Sequence, residues 1–130
     1  MATLKPRLTL TSTDASENSA LSLTVSDELS VKNPLVGVST TVCSTTGNET
    51  IILPNLAAAR WVYIKNTGVD AADSATTATL KVELADNTRI IDLGADEFCF
   101  FPYNAEGSGL IQLEASAGTV VAEYAYWTKT

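Results

Sequence analysis

The chain predicts an all-β protein: an antiparallel β-sandwich, jelly-roll-like, with about eight to ten strands and little helix. Three features of its 130 residues carry that expectation. The apolar runs are built from Val, Ile, Thr and aromatic residues, which is strand composition. Most of these runs alternate apolar and polar residues with a period of two. Short clusters rich in Gly, Pro, Asn and Asp separate them, the residues that accept turn conformations. No window of a dozen residues shows helical periodicity, and Leu56-Ala57-Ala58-Ala59 has room for a single turn. No period repeats along the chain, which excludes a solenoid or propeller.

Taken in order, Leu8 and Leu10 share one parity, as do Leu21, Leu23 and Val25 and then Leu29 and Val31. Val36, Val38 and Val42 line another face together with Thr40 and Ser44. Arg60–Lys65 is a dense β-branched and aromatic strand. In Thr79–Leu84, Leu80, Val82 and Leu84 are expected inside, and Thr79, Lys81 and Glu83 in water. Ile111, Leu113 and Ala115 alternate against Gln112 and Glu114, and Thr119–Thr128 closes the chain with apolar residues on both sides. Turns are expected at Asp14-Ala15-Ser16-Glu17-Asn18, Lys32-Asn33-Pro34, Gly47-Asn48, Leu53-Pro54-Asn55, Asn66-Thr67-Gly68, Ala85-Asp86-Asn87, Gly107-Ser108-Gly109 and Ala117-Gly118. The expected core is Trp61, Tyr63, Leu80, Val82, Phe98, Phe100, Leu113, Val120, Tyr124 and Tyr126.

The length suits one sandwich domain over residues 1–130. The part before Thr50 is richer in hydroxyls and poorer in large apolar residues. Two readings of it stay open. Residues 1–32 form an N-terminal arm or outer hairpin that contacts neighbours, or they supply outer strands of the same sandwich.

Composition narrows function by exclusion. Histidine is absent, which removes Ser-His-Asp and Cys-His catalytic sets and every zinc site that uses histidine. The net charge of −7 repels phosphate, so nucleic acid is not an expected partner. No run approaches the ~20 apolar residues of a membrane-spanning helix, and the N-terminus lacks a signal-peptide core, so no membrane partner and a cytoplasmic origin are expected. Cys43 and Cys99 then read as reduced core thiols, and the Asn48-Glu49-Thr50 sequon as chance.

Nothing left assembles an obvious reaction. Asp86, Asp92, Asp96 and Glu97 crowd between two strands, but carboxylates at turns are usually solvated, and no spacing aims a pair into one cleft. The Val69–Ser74 loop, with Asp70 and Asp73, lacks the dense acidic spacing of a calcium loop. Gly107-Ser108-Gly109 precedes a strand and has no lysine in phosphate-loop register. Tyr124, Tyr126 and Trp127 suit a terminal strand that closes the core better than a stacking platform. The expectation is a non-enzyme with no catalytic, cofactor or metal residues.

From Arg60 onward the order of elements resembles a known group. Arg60-Trp61-Val62-Tyr63-Ile64-Lys65-Asn66-Thr67-Gly68 opens it, followed by Leu80-Lys81-Val82-Glu83-Leu84 and Ile91-Asp92-Leu93-Gly94-Ala95-Asp96-Glu97-Phe98-Cys99-Phe100-Phe101-Pro102. Ile111-Gln112-Leu113-Glu114-Ala115 and Val120-Val121-Ala122-Glu123-Tyr124-Ala125-Tyr126-Trp127 close it. In this order the chain resembles the small β-sandwich virion structural proteins of tailed bacteriophages, marine and cyanobacterial phages in particular. The resemblance implies a capsid decoration (cement) protein that trimerises, binds the major capsid protein lattice and sits on the capsid surface of the virion. Two alternatives remain: a tail, neck or fibre-base protein, and a carbohydrate-binding module. The last needs a Trp or Tyr exposed on a sheet face, whereas both tryptophans fall in strands expected to be core.

Overall fold

The structure, a computed structural model, describes residues 1–14, 20–32, 37–54, 58–104 and 109–130. Twelve strands run through the described residues: β1 (Ala2–Leu4), β2 (Arg7–Ser12), β3 (Leu21–Ser26), β4 (Leu29–Val31), β5 (Ser39–Cys43), β6 (Thr50–Leu53), β7 (Ala59–Asn66), β8 (Leu80–Leu84), β9 (Arg89–Leu93), β10 (Phe98–Asn104), β11 (Ile111–Ala115) and β12 (Val120–Thr128). They fall into two compact units. One is Met1–Leu35 with Lys129–Thr130; the other is Val36–Thr128. Ala15-Ser16-Glu17-Asn18, Asn33-Pro34, Val36, Asn55, Leu56-Ala57 and Gly107-Ser108, named above in turns and strand faces, lie outside the described residues.

The larger unit is a jelly roll, and its strand pairing shows why. β8 pairs with β9, β7 with β10, β6 with β11 and β5 with β12, all antiparallel. The pairs nest around the Ala85-Asp86-Asn87-Thr88 turn like the two arms of one long hairpin. That hairpin is then rolled so that β12 also joins β7 and β11 also joins β8. Two four-stranded sheets result, ordered β10-β7-β12-β5 and β6-β11-β8-β9. The central turn is closed by Asn87 N–H donating to the Leu84 carbonyl and Leu84 N–H to the Thr88 carbonyl. Asn87 takes a left-handed φ of 61°, a conformation its short polar side chain tolerates.

The core lies between the sheets. Val62, Ile64, Val120, Ala122 and Cys43 come from the first; Ile52, Leu53, Leu80, Val82, Leu93, Ile111, Leu113 and Ala115 come from the second. Leu80, Val82, Leu113 and Val120 are thus where the alternation put them, with Tyr124 and Tyr126 packed against them. Four expected core residues are not there. In β7 the fully buried parity is Val62 and Ile64, and Trp61 and Tyr63 turn outward. In β10 the inward residues are Cys99, Phe101 and Tyr103, and Phe98 and Phe100 face away. The reason is space: sheets ~10 Å apart hold one layer of interdigitated side chains from both faces. Leu80, Val82, Ile111 and Leu113 occupy the facing layer, and the rings that do enter it, Phe101, Tyr103, Tyr124 and Tyr126, come from β10 and β12, which leaves the inward face of β7 to the smaller Val62 and Ile64.

One buried polar residue ties the layers. Asn66, fully buried at the end of β7, donates through Nδ2 to the carbonyls of Ala78 (3.1 Å) and Leu93 (3.0 Å), and its Oδ1 accepts from Gly68 N–H at 2.9 Å. Its side chain therefore bridges the first sheet to the second. The two cysteines are free. They sit on β5 and β10, the opposite edges of one sheet, so three strand spacings, about 14 Å, separate strands that a disulfide would need within about 7 Å.

In the smaller unit β1 pairs with β4 and β2 with β3, both antiparallel. Val31 also bridges to Lys129, which brings the last residues of the chain onto β4.

Candidate functional site

The first candidate is the outward face of the β10-β7-β12-β5 sheet. Cross-strand register sorts its side chains into three rows. Phe98, Lys65, Glu123 and Thr40 form one row; Phe100, Tyr63 and Ala125 the next; Pro102, Trp61 and Trp127 the third. Trp61 and Phe100 stack, with ring centroids 5.8 Å apart and planes within 5°. Phe98 is 59% exposed and Phe100 36%, and Trp61, Tyr63 and Trp127 are half-buried. Tyr63 donates its hydroxyl to Glu123 Oε2 at 3.3 Å. Burial, and then the Glu123 charge, raise the Tyr63 phenol above its ordinary value and keep it a proton donor. This aromatic face is the feature that sequence reasoning missed. The signal was present, because both parities of β7 are apolar, but the rule that large rings go inside picked the wrong one.

The outward face of the β6-β11-β8-β9 sheet is built on charge. Glu114 Oε1 accepts from Lys81 Nζ at 2.6 Å and from Thr46 Oγ1 at 2.7 Å. Gln112 Nε2 donates to Asn87 Oδ1 at 2.6 Å. Glu83 is 3% exposed and Glu114 4%. Glu83 was expected in water; it faces outward, yet neighbouring side chains cover it. Hydrogen bonds from Lys81 and Thr46 hold the Glu114 carboxyl below its ordinary range. Burial and the nearby Glu114 charge push Glu83 up. Two carboxyls driven apart in acidity are what an acid–base pair requires. Neighbouring side chains cover both almost wholly.

The four carboxylates singled out in sequence do not converge. Asp86 Oδ1 accepts from Thr88 N–H, Asp92 pairs with Arg89 at 3.0 Å, and Glu97 Oε2 accepts from Gly94 N–H at 2.6 Å. These three serve their own turns or strands, and Asp96 takes a left-handed φ of 66° in the turn before β10. In the Val69–Ser74 loop, Asp70 Oδ1 accepts from Ala72 and Ser74 N–H, so its carboxylate shapes the loop from within. Among the described residues, no group of three or more His, Cys, Asp or Glu side chains could hold a metal ion. No helix of the described residues is long and apolar enough to cross a membrane. Burial raises both thiols to about 11, so Cys43 and Cys99 stay protonated and poorly nucleophilic at neutral pH.

The third candidate is the β2–β3 ribbon in the smaller unit. Leu8 opposes Val25, Leu10 opposes Leu23, and Ser12 opposes Leu21, so these side chains share one face. Arg7 with Ser26, Thr9 with Thr24, and Thr11 with Ser22 make the other face. The five large apolar residues of the first face are 42–53% exposed. An isolated two-stranded ribbon is marginal in water, so this face gains from cover. Beside it, Lys5, Pro6, Arg7, Ser26, Asp27 and Glu28 line a shallow open groove in which Lys5 pairs with Glu28.

No protein-family model matches the chain, and no curated protein matches it.

Proposed function

We propose that the protein is a non-enzymatic structural protein of a virion, a decoration protein that docks on the major capsid protein lattice and stabilises the head. The observation that supports this reading best is the β2–β3 ribbon, whose five apolar side chains stand exposed along one face. Shell proteins act by repeated contact. A modest apolar ribbon, multiplied by the symmetry of the shell, holds through avidity where one copy would let go. The jelly roll supplies a rigid body for such contacts, and that architecture is common in capsid proteins and lectins. The fold alone does not choose among functions. An acidic chain is also suited to the outside of a DNA-filled particle, where it avoids the genome.

The test is a double variant, Leu10→Asp with Leu23→Asp, mixed with expanded empty heads assembled from the cognate major capsid protein. Loss of co-sedimentation with heads, at unchanged far-UV circular dichroism, is the expected result. Undiminished binding removes the ribbon from the mechanism. Density at the three-folds of the particle supports decoration, and density on the neck or tail moves the protein there. Light scattering of the purified chain reads the proposed trimer directly.

A further inference from the structure

We infer that the outward face of the β10-β7-β12-β5 sheet is a binding platform for a neutral oligosaccharide. This does not rest on the particle reading, because it concerns a different surface. A pyranose ring has an apolar face of C–H groups and a rim of hydroxyls. A partner for it needs a flat aromatic surface beside donors and acceptors. The three rows provide both. Trp61, Phe100, Phe98 and Trp127 give ring surface, with the Trp61–Phe100 pair stacked nearly parallel. The adjoining row gives Lys65 as donor, Glu123 as acceptor and Thr40 as either, and Tyr63 joins the two zones through its bond to Glu123.

Charge and area select the occupant. The face carries one Lys and one Glu, side by side in register, so its formal charge is zero in a chain of −7. A polyanion or polycation finds no complementary field there; a neutral ligand meets no penalty. Three strands ~4.8 Å apart and three rows ~7 Å apart make a patch of roughly 300 Å² with the side chains included, and five of its nine positions are aromatic. A stable protein partner needs about 800 Å² from each side. A second copy of the chain is therefore under-supplied by this face, and a few sugar rings are not.

The experiment titrates the full chain with neutral hexasaccharides of β-1,4-glucose, α-1,4-glucose, β-1,4-mannose and β-1,4-xylose, and follows intrinsic tryptophan fluorescence. Concentrations run to roughly 10 mM, past the millimolar affinity expected of a shallow face. A saturable shift with at least one sugar is expected. Phe100→Ala should weaken it about five- to tenfold, the size of one lost aromatic contact. Ile51→Ser, on an exposed residue of the other sheet, should leave it unchanged. Circular dichroism shows that each variant is folded. The inference is overturned by silence from all four sugars, or by binding that Phe100→Ala does not weaken. It is equally overturned if light scattering finds a dimer that Phe98→Ala and Phe100→Ala dissolve, for the face would then be an interface between copies.

Discussion

On the β6-β11-β8-β9 sheet the outward side chains include Lys81, Glu83, Gln112 and Glu114, and they lie over one another until only a few per cent of each carboxylate residue is exposed. On the β10-β7-β12-β5 sheet the corresponding positions hold Trp61, Tyr63, Phe98, Phe100 and Trp127, and more than half of Phe98 stays exposed. Both faces back the same core. The charged face consumes its own hydrogen-bonding capacity, down to Thr46 and Lys81 sharing one oxygen of Glu114. The aromatic face leaves ring surface uncovered beside a polar row. A surface that satisfies itself has little to offer a partner, whereas one that leaves apolar area exposed pays a hydration penalty that binding can relieve.

The sharpest way to break this comparison is to truncate one residue from the core and one from the aromatic face. Leu113→Ala should cost about 2–5 kcal/mol in urea unfolding, because it opens a cavity between the sheets. Phe98→Ala should stay within about 0.5 kcal/mol of the parent, as surface changes do. Equal losses would mean that β10 is seated the other way round.

Next in size is the charged face. Glu114→Gln should destabilise by about 1–3 kcal/mol, since Lys81 and Thr46 lose a charged acceptor at a largely covered site. A double-mutant cycle with Lys81→Met separates the pair from its surroundings. A coupling energy near zero would reduce this face to ordinary solvated surface.

The pH dependence distinguishes the two carboxyls. The Glu114 pKa is lowered on folding, so its stabilisation is present above the ordinary carboxyl range and is lost as pH falls through the depressed value. Glu83 has the opposite sign. Its folded pKa is raised, so stability is fullest below the ordinary value and declines as pH rises through the raised one. Glu83→Gln should therefore be more stable than the parent at neutral pH, and the gap should close below about pH 4, where the parent carboxyl is protonated in both states. Chemical denaturation at several pH values reads this; a gap that widens on acidification contradicts it.

The smallest effect concerns the thiols. With both pKa values near 11, only about 0.1% of each is thiolate at pH 8. Ellman's reagent should find almost no reactive cysteine until the chain is unfolded, and mild oxidation should leave the mass without an internal disulfide.

Much of the architecture was legible. Period-two alternation located β5, β8, β11 and β12, and the parity of Leu80, Val82 and Leu113 was right because polar residues occupy the other parity. Strands β6 and β9 were missed, with Leu53 assigned to a turn and Asp92 to a connection. At β7 the same method failed, because Trp61 and Tyr63 are as apolar as Val62 and Ile64, and alternation between two apolar sets names no inside. Burial of Glu83 was invisible for a related reason. It depends on Gln112 and Glu114 lying alongside, and β8 and β11 meet only through pairing. Pairing itself is not written locally: β5 and β12 lie at opposite ends of the sandwich sequence and meet by nesting. The aromatic face needed two of these facts at once, the parity of β7 and the pairing that sets β10 and β12 beside it.

The nesting also governs when the molecule can exist during synthesis. β12 leaves the ribosome after the other eleven described strands, yet it occupies the middle of its sheet, between β7 and β5. A nascent chain stopped at Gly118 already holds every strand of the β6-β11-β8-β9 layer. Opposite it stand β7 paired only with β10, and β5 with no neighbour. This late strand is a keystone, and the second layer assembles only after it emerges.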